Sequence, residues 1–435
     1  MKRSLFVITG LLLAETVLLC LYLGELYGQQ GQLGEVSLDW AVFWGGTGRD
    51  YPRGIVHLGG HLYVTGSTSS FGAGKEDVLL LKYTLDGGLV WNRTWGGKGY
   101  DMGRAIAATD ESLYVVGITY PGERSAAVLL KHDLDGGLVW SRMWGADENA
   151  KGRGVAVDDE GLVYVAGYTL GIGSNATRSF LLKYRPDGDL MWNRTWGDTG
   201  SDYCWAVAVD DGVYVSGTSG VAELLHEIGD SPYEVKSEIY LTKFDLYGNE
   251  VWTHAWGKGI ENNGLALSAS KGRVYQAGST LHANGSADVV LLEYDASGNL
   301  RSATICGGPY EECAWGMTKA GLHVYVVGHS FNPEPYCLRD ALVSKFDLDG
   351  ETVWSRTWGG MGSDTARSVS VVGDGVYVAG ITYGVGGDGQ AFLLKYTSPN
   401  DSGDPIAALM LSVAIIAVGA LFWMVLVREI LHYMK

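Results

Sequence analysis

The sequence predicts an all-β protein: a seven-bladed β-propeller closed by an N-terminal strand that completes the last blade, with one transmembrane helix at each end. Three observations predict it. Glycine supplies 64 of the 435 residues, tryptophan 15 and tyrosine 25, but proline only 9. An aromatic-Gly mark recurs through the middle of the chain at steps of about 50 residues. An apolar run lies near each terminus. The aromatic content excludes disorder, and the absence of a G-X-Y period excludes collagen. The formal charge of −17 opposes non-specific nucleic-acid binding.

At the N-terminus (1–28), Lys2 and Arg3 precede an apolar run from Leu5 to Leu23 broken by Glu15. The run is either a secretory signal or a membrane helix; it is long for a secretory h-region, which favours a retained helix or uncleaved signal anchor. Glu15 inside such a span is costly unless protonated, paired or facing protein. It is either a partner contact within a membrane complex or a carboxyl tolerated between the chain's own two helices. Residues 29–37 are a linker, 38–397 the propeller and 398–405 a second linker. Ile406–Val427 has no charged residue and is the stronger spanning segment, followed by the short basic tail 428–435. Basic residues flank both spans on their terminal sides. The expectation is a plasma-membrane protein with both termini cytoplasmic and the propeller extracellular.

The repeat mark stands at Trp44, Trp95, Trp144, Trp196, Trp256, Cys306 and Trp358, each followed by Gly. Every unit has the same order: a stretch such as 366–372, a VYVAG-type strand, an LLKY strand and an LVWNRTW strand. Seven such units stack around a ring, because a single four-stranded sheet cannot bury its own two faces. The last unit lacks a fourth strand, and LDWAVFWGG (38–46) lacks the first three. The N-terminal strand therefore completes the last blade.

Trp-x-x-x-Trp occurs in the fourth strand at 40/44, 91/95, 140/144, 192/196, 252/256 and 354/358. The midway residue is Val42, Arg93, Arg142, Arg194, His254 or Arg356, on the same strand face as its Trp pair. Two readings stand: an aromatic sugar-binding ladder, or blade-to-blade packing repeated with the blades. Aromatic burial favours packing.

Two further columns follow each mark. Six residues on are Asp50, Asp101, Asp202 and Asp364, with Glu312 and Asn262 as variants. Nine residues on are Arg53, Arg104, Arg153 and Arg367, with Trp205, Leu265 and Trp315 elsewhere. The arginines lie near the outer mouth of the central channel. They form either an anion or acidic-glycan site, or Asp–Arg pairs that lock each loop while the Arg stems pack between blades. The residue after each is small (Gly54, Ala105, Gly154, Ala206, Ala266, Gly316, Ser368), as tight inner-strand packing requires.

In a propeller, loops joining strands 4→1 and 2→3 share one face, and both tails leave from the other. The first face is therefore expected to look away from the membrane. Its long insertions, 219–239 and 330–341, offer Leu224, Leu225, Tyr233 and Tyr336 as partner-facing residues. Cys306, Cys313 and Cys337 map to the same side, where Cys313–Cys337 or Cys306–Cys313 is an admissible disulfide. Sequons occur at Asn92, Asn175, Asn193, Asn284 and Asn400, of which Asn175 and Asn284 sit in outward loops. The D-x-D-G stretches at 133–136 and 347–350 lack a closing Glu and read as hairpin turns rather than calcium loops. No H-E-x-x-H, C-x-x-C, P-loop or G-x-S-x-G is present, so no cofactor or metal is expected.

The segments 358–384 (WGGMGSDTARSVSVVGDGVYVAGITYG) and 196–219 (WGDTGSDYCWAVAVDDGVYVSGTS) resemble the SBBP-type β-propeller repeat. DLDGGLVW (133–140) is distantly similar to quinoprotein-type (PQQ-like) blades, without their adjacent cysteines. The resemblance covers about residues 38–397 and implies a surface or envelope protein with a binding or scaffolding role. The reading is a membrane-anchored propeller that binds a protein or glycan partner, an accessory subunit of an envelope complex. The alternative is a sialidase-like hydrolase that uses the Arg column.

Overall fold

The computed structural model describes residues 36–170, 177–197, 201–220, 237–257, 261–282, 285–308, 310–332, 338–384 and 388–398. The chain divides into two units, Leu38–Val372 with Val376–Lys395, and a second formed by the termini with Gly373–Gly375. Among the described residues no helix is long and apolar enough to cross a membrane. Glu15 and both expected spans lie outside the described residues. So do Leu224, Leu225, Tyr233, Tyr336, Cys337, Asn175, Asn284 and Asn400.

Seven four-stranded sheets make the propeller. The first six blades span residues 50–95, 101–144, 151–196, 203–256, 261–306 and 312–358. The seventh has the strand order Ser37–Trp44, Gln390–Thr397, Gly375–Thr382, Asp364–Val372. The N-terminal strand thus sits where the other blades have their fourth strand, as its sequence predicts. Lys395 and Asp39 pair at 3.1 Å within this clasp.

Burial explains the sequence pattern of each strand. The second and third strands are covered on both faces, as in Ser112–Thr119 and Ala126–His132. They therefore read as continuous apolar runs rather than alternating ones. Outer strands such as Leu89–Trp95 are mostly exposed, with only the tryptophans half-buried. The cores lie between blades. Tyr114, Val116 and Leu129 of the second blade pack with Val165, Phe180 and Leu182 of the third. The innermost strands approach most closely at the small residues. A Cβ on Gly154 would lie 2.9 Å from the Val207 amide nitrogen, and one on Gly54 3.1 Å from that of Ile106.

The outer Trp–Arg pattern is a staple between blades. Arg93, Arg142 and Arg194 lie over Trp91, Trp140 and Trp192 at 5.2, 5.2 and 5.3 Å. Their guanidinium groups also donate to the glycine turn between the third and fourth strands of the next blade. Arg142 Nε donates to Gly188 O at 2.9 Å, and Arg194 Nε to Gly248 O at 2.8 Å. The third-strand lysine grips the same turn: Lys82 Nζ donates to Leu134 O, Lys131 to Pro186 O and Lys183 to Leu246 O. Turn glycine Gly136 has φ +83°, and a Cβ there would stand 2.9 Å from Arg93 and 3.0 Å from Trp91. Glycine is required at that position both by its backbone and by its neighbours. These rings are committed to packing, which resolves the two readings of the ladder. Asp133 is likewise committed, accepting the amides of Asp135 and Gly137 at 3.0 and 2.7 Å.

The clasp strand keeps only the tryptophan of this device, with Val42 in the arginine's place: Trp40 meets Tyr377 at 6.1 Å and lies against Gly87 of the first blade. Trp40→Ala should lower unfolding free energy by roughly 2–4 kcal/mol, somewhat under the roughly 3–5 kcal/mol of a fully buried tryptophan because Trp40 is half-buried. Deletion of 37–44 should abolish cooperative thermal unfolding of the full chain. Calorimetry checks both.

Candidate functional site: a ring of bulged residues at the channel mouth

In the first six blades the inner strand pairs with its neighbour through one irregularity, always at the same place. The register skips between Pro52 and Gly54, Gly103 and Ala105, and Gly152 and Gly154. It skips again between Cys204 and Ala206, Gly264 and Ala266, and Ala314 and Gly316. The skipped residues are Arg53, Arg104, Arg153, Trp205, Leu265 and Trp315. An extra residue in a strand has no cross-strand partner, and its side chain is re-aimed out of the ladder. Together with Arg367 these six line a cavity of about 130 Å³ at one end of the channel. It continues into a space of about 270 Å³ lined by the small residues that follow.

The ring is chemically divided. Blades seven, one, two and three contribute Arg367, Arg53, Arg104 and Arg153, while blades four, five and six contribute Trp205, Leu265 and Trp315. At both junctions an arginine lies on a tryptophan: Arg153 over Trp205 at 4.9 Å and Arg367 over Trp315 at 4.2 Å. Arg153 Nη2 also donates to Tyr168 Oη at 2.7 Å. The Nε atoms of Arg104, Arg153 and Arg367 are buried and have no hydrogen-bond partner. Among the described residues none of the four makes a salt bridge and no carboxylate lines the cavity, although the charge of Glu76 reaches Arg53 and Arg104.

Like charge without a counterion is costly. Burial, then the charges of Arg367 and Arg153, pull Arg53 down to about 10. Burial, then Arg53 and Arg153, pull Arg104 down to about 8. Burial also lowers Arg367. A guanidinium stays protonated at neutral pH, so these depressions express a strain borne by the fold.

The Asp–Arg locks expected from the two columns are not formed. The acids instead cap the 4→1 loops through the amide four residues earlier. Asp50 accepts from Gly46 N at 3.0 Å, Asp101 from Gly97 N at 2.7 Å, Glu312 from Gly308 N at 3.0 Å and Asp364 from Gly360 N at 3.1 Å. A short polar side chain satisfies the orphan amides of a tight loop better than it reaches a guanidinium at the channel. The Cys306–Cys313 bridge is also absent, and both thiols are free. Cys306 ends the outer strand of the fifth blade, while Cys313 is buried in the inner strand of the sixth. Asn92 and Asn193 lie exposed on outer strands. Among the described residues no group of three or more His, Cys, Asp or Glu is placed to hold a metal.

One positioning network was not foreseen. Trp315 Nε1 donates to His329 Nδ1 at 3.0 Å, and His329 Nε2 lies 3.1 Å from Glu311 Oε1. Arg339 Nη2 donates to the same carboxylate at 2.8 Å. A His that accepts at Nδ1 is neutral, with its proton on Nε2 toward Glu311. Burial pushes its pKa below the usual 6.5. The signal in the sequence was weak, since residues 311, 315, 329 and 339 share no motif.

No protein-family model matches the chain, and no curated protein does. Among solved structures it is similar to the β-propeller domain of the Trilobed protease from Pyrococcus furiosus, at 11% identity over 85% of this chain and 98% of that one (TM-score 0.48). It is also similar to the Pseudomonas aeruginosa periplasmic gluconolactonase, at 14% over 72% and 87% (TM-score 0.43). A Synechocystis apocarotenoid oxygenase mutant is similar at 13% over 79% and 87% (TM-score 0.45). At these identities no ligand or reaction transfers to this chain.

Two outcomes follow from the ring's electrostatics. Arg104→Gln should raise Tm in low-anion buffer by about 1–2 °C, the shift that ~1 kcal/mol makes in a domain of this size at an unfolding entropy of about 2.1 cal/mol/K per residue. Below pH about 6.5 the unfolded chain binds a proton that native His329 refuses, so stability should fall as pH falls through that region. In His329→Gln the amide accepts from Trp315 and donates to Glu311 without titrating. Thermal melts between pH 7.5 and 5 should show a smaller loss for this variant than for the wild type.

Proposed function

We propose that this chain is a membrane-anchored, extracellular binding and scaffolding module. Its propeller, of the SBBP-repeat type, holds an anionic group of a glycan or protein partner at the arginine mouth. The single observation that carries the reading is the bulge ring. Four arginines are aimed into one cavity, three of them with a buried Nε unpaired, and among the described residues none is ion-paired, the charge of Glu76 reaching Arg53 and Arg104 only from outside the cavity lining. Buried donors without acceptors are rare in native proteins, and an oxyanion supplies both the acceptors and the missing charge. The tryptophans at the junctions hold two of the guanidinium planes in place. The two terminal apolar segments support anchoring at the plasma membrane with both termini cytoplasmic. The chain would serve as an accessory subunit of an envelope complex.

The hydrolase alternative needs a nucleophile and an acid beside the arginines. Tyr51 and Tyr383 touch through their hydroxyls at 2.6 Å near Arg53 and Arg367. Burial, then Tyr51, pushes Tyr383 up to about 12, away from the ionised form a tyrosine nucleophile requires. This favours binding over turnover.

Full-length protein in mild detergent should retain carboxylated glycans over their neutral counterparts on an array and leave them chemically unchanged. Arg53→Gln with Arg104→Gln should weaken retention at least tenfold. Equal retention of neutral glycans, or release of a cleaved sugar that the double variant abolishes, would sink the proposal.

A further inference from the structure

Six of the seven seams carry tryptophan in the outer strand, and the seam between the fifth and sixth blades does not. In the first blade Lys82 pairs with Trp91, Leu80 with Arg93 and Val78 with Trp95. The corresponding pairs in the fifth blade are Glu293 with Ser302, Leu291 with Thr304 and Val289 with Cys306. Lysine, both tryptophans and the arginine of the staple are thus all replaced. Glu293 is turned instead to Arg273 within its own blade.

The vacated space is an open pocket of about 280 Å³. Its floor is apolar and buried: Val289, Val326, Leu342 and Phe346 are between 0% and 8% exposed. Exposed Ser355 and Thr357 of the sixth blade's outer strand stand at its rim. At other seams this floor meets a ring. Trp144 packs on Phe180, the third-blade counterpart of Leu342, at 4.6 Å. Trp196 packs on Phe244, the counterpart of Phe346, at 5.2 Å. An apolar cavity of about 150 Å³ already takes a benzene, so this one has room for two fused rings. The strand beside it, Leu300–Cys306, is the edge of its sheet. Its free backbone groups are able to pair with an extended segment of another chain.

We propose that the fifth–sixth seam is a pocket for a tryptophan side chain presented by an extended segment of a partner protein. The guest ring occupies the place that the chain's own tryptophans fill at the other seams. The site is distinct from the arginine mouth, and its fate is independent of the anion.

Alkylation of Cys306 in the full-length protein, followed by peptide mass mapping, reads the pocket directly. N-acetyl-tryptophanamide at millimolar concentration should slow that alkylation at least threefold, while N-acetyl-glycinamide should not. Cys306→Trp should raise Tm and remove the Tm increase that N-acetyl-tryptophanamide gives the wild type. Unchanged alkylation of Cys306 with the tryptophan amide would overturn the proposal and leave a packing void. Protection by free indole but not by the amide would overturn the assignment to a partner's side chain.

Discussion

The structure depends on the grip that an outer strand takes on the next blade's glycine turn, complete in the first three blades and absent in the fifth. A tryptophan covers the turn, an arginine lies over that tryptophan and donates to the turn's carbonyls, and a lysine from the third strand donates beside them. A surface cation–π contact contributes about 0.5–1 kcal/mol, and a hydrogen bond from a charged donor about 1.5–3 kcal/mol. No blade has a core of its own, because each hydrophobic cluster is shared by two neighbours. The grips therefore set which sheets share a core, and the ring is only as sound as its clasp and its least-gripped seam.

A ring made rigid at its rim can tolerate strain at its axis. Small residues bring the inner strands together, and the bulge just before them turns six side chains into one mouth that Arg367 completes. Four of those side chains repel one another. A monomeric scaffold with no ligand has no use for that repulsion, since glutamine or leucine would fit a bulge at lower cost. The opposite arc, Trp205, Leu265 and Trp315, shows that the position accepts apolar residues. The positive arc is thus a departure from what packing alone would select, and among the described residues no ion pair offsets it, Glu76 acting only weakly on Arg53 and Arg104.

Much of the fold was legible in the sequence because the repeat states each interaction several times. The missing fourth strand of the last unit and the orphan segment 38–46 pointed to the clasp. The small residues after the column pointed to close inner strands. The arginine column was placed at the channel mouth by its offset from Trp alone. Its geometry was hidden, because a bulge shared by the blades leaves the spacing constant and so leaves no irregularity to notice. The reading of the acids as partners of the arginines stayed open in the sequence for a related reason. Sequence offset shows that Asp50 and Arg53 travel together, but not that Asp50 turns back to Gly46 N. The seam pocket was half visible: Ser302 and Cys306 break the tryptophan pattern, yet the floor comes from Leu342 and Phe346 on the next blade. The His329 network joins residues up to 28 apart across loops and carried no pattern at all.

The claim on which this account rests is that the arginine mouth holds an anion. Bromide introduced into crystals of the full-length protein, located by its anomalous scattering, tests it without assuming any natural ligand. The account predicts the strongest bromide peak inside the arc of Arg367, Arg53, Arg104 and Arg153, within reach of the buried Nε atoms. An empty arc, with bromide bound only at surface lysines and arginines, would contradict it.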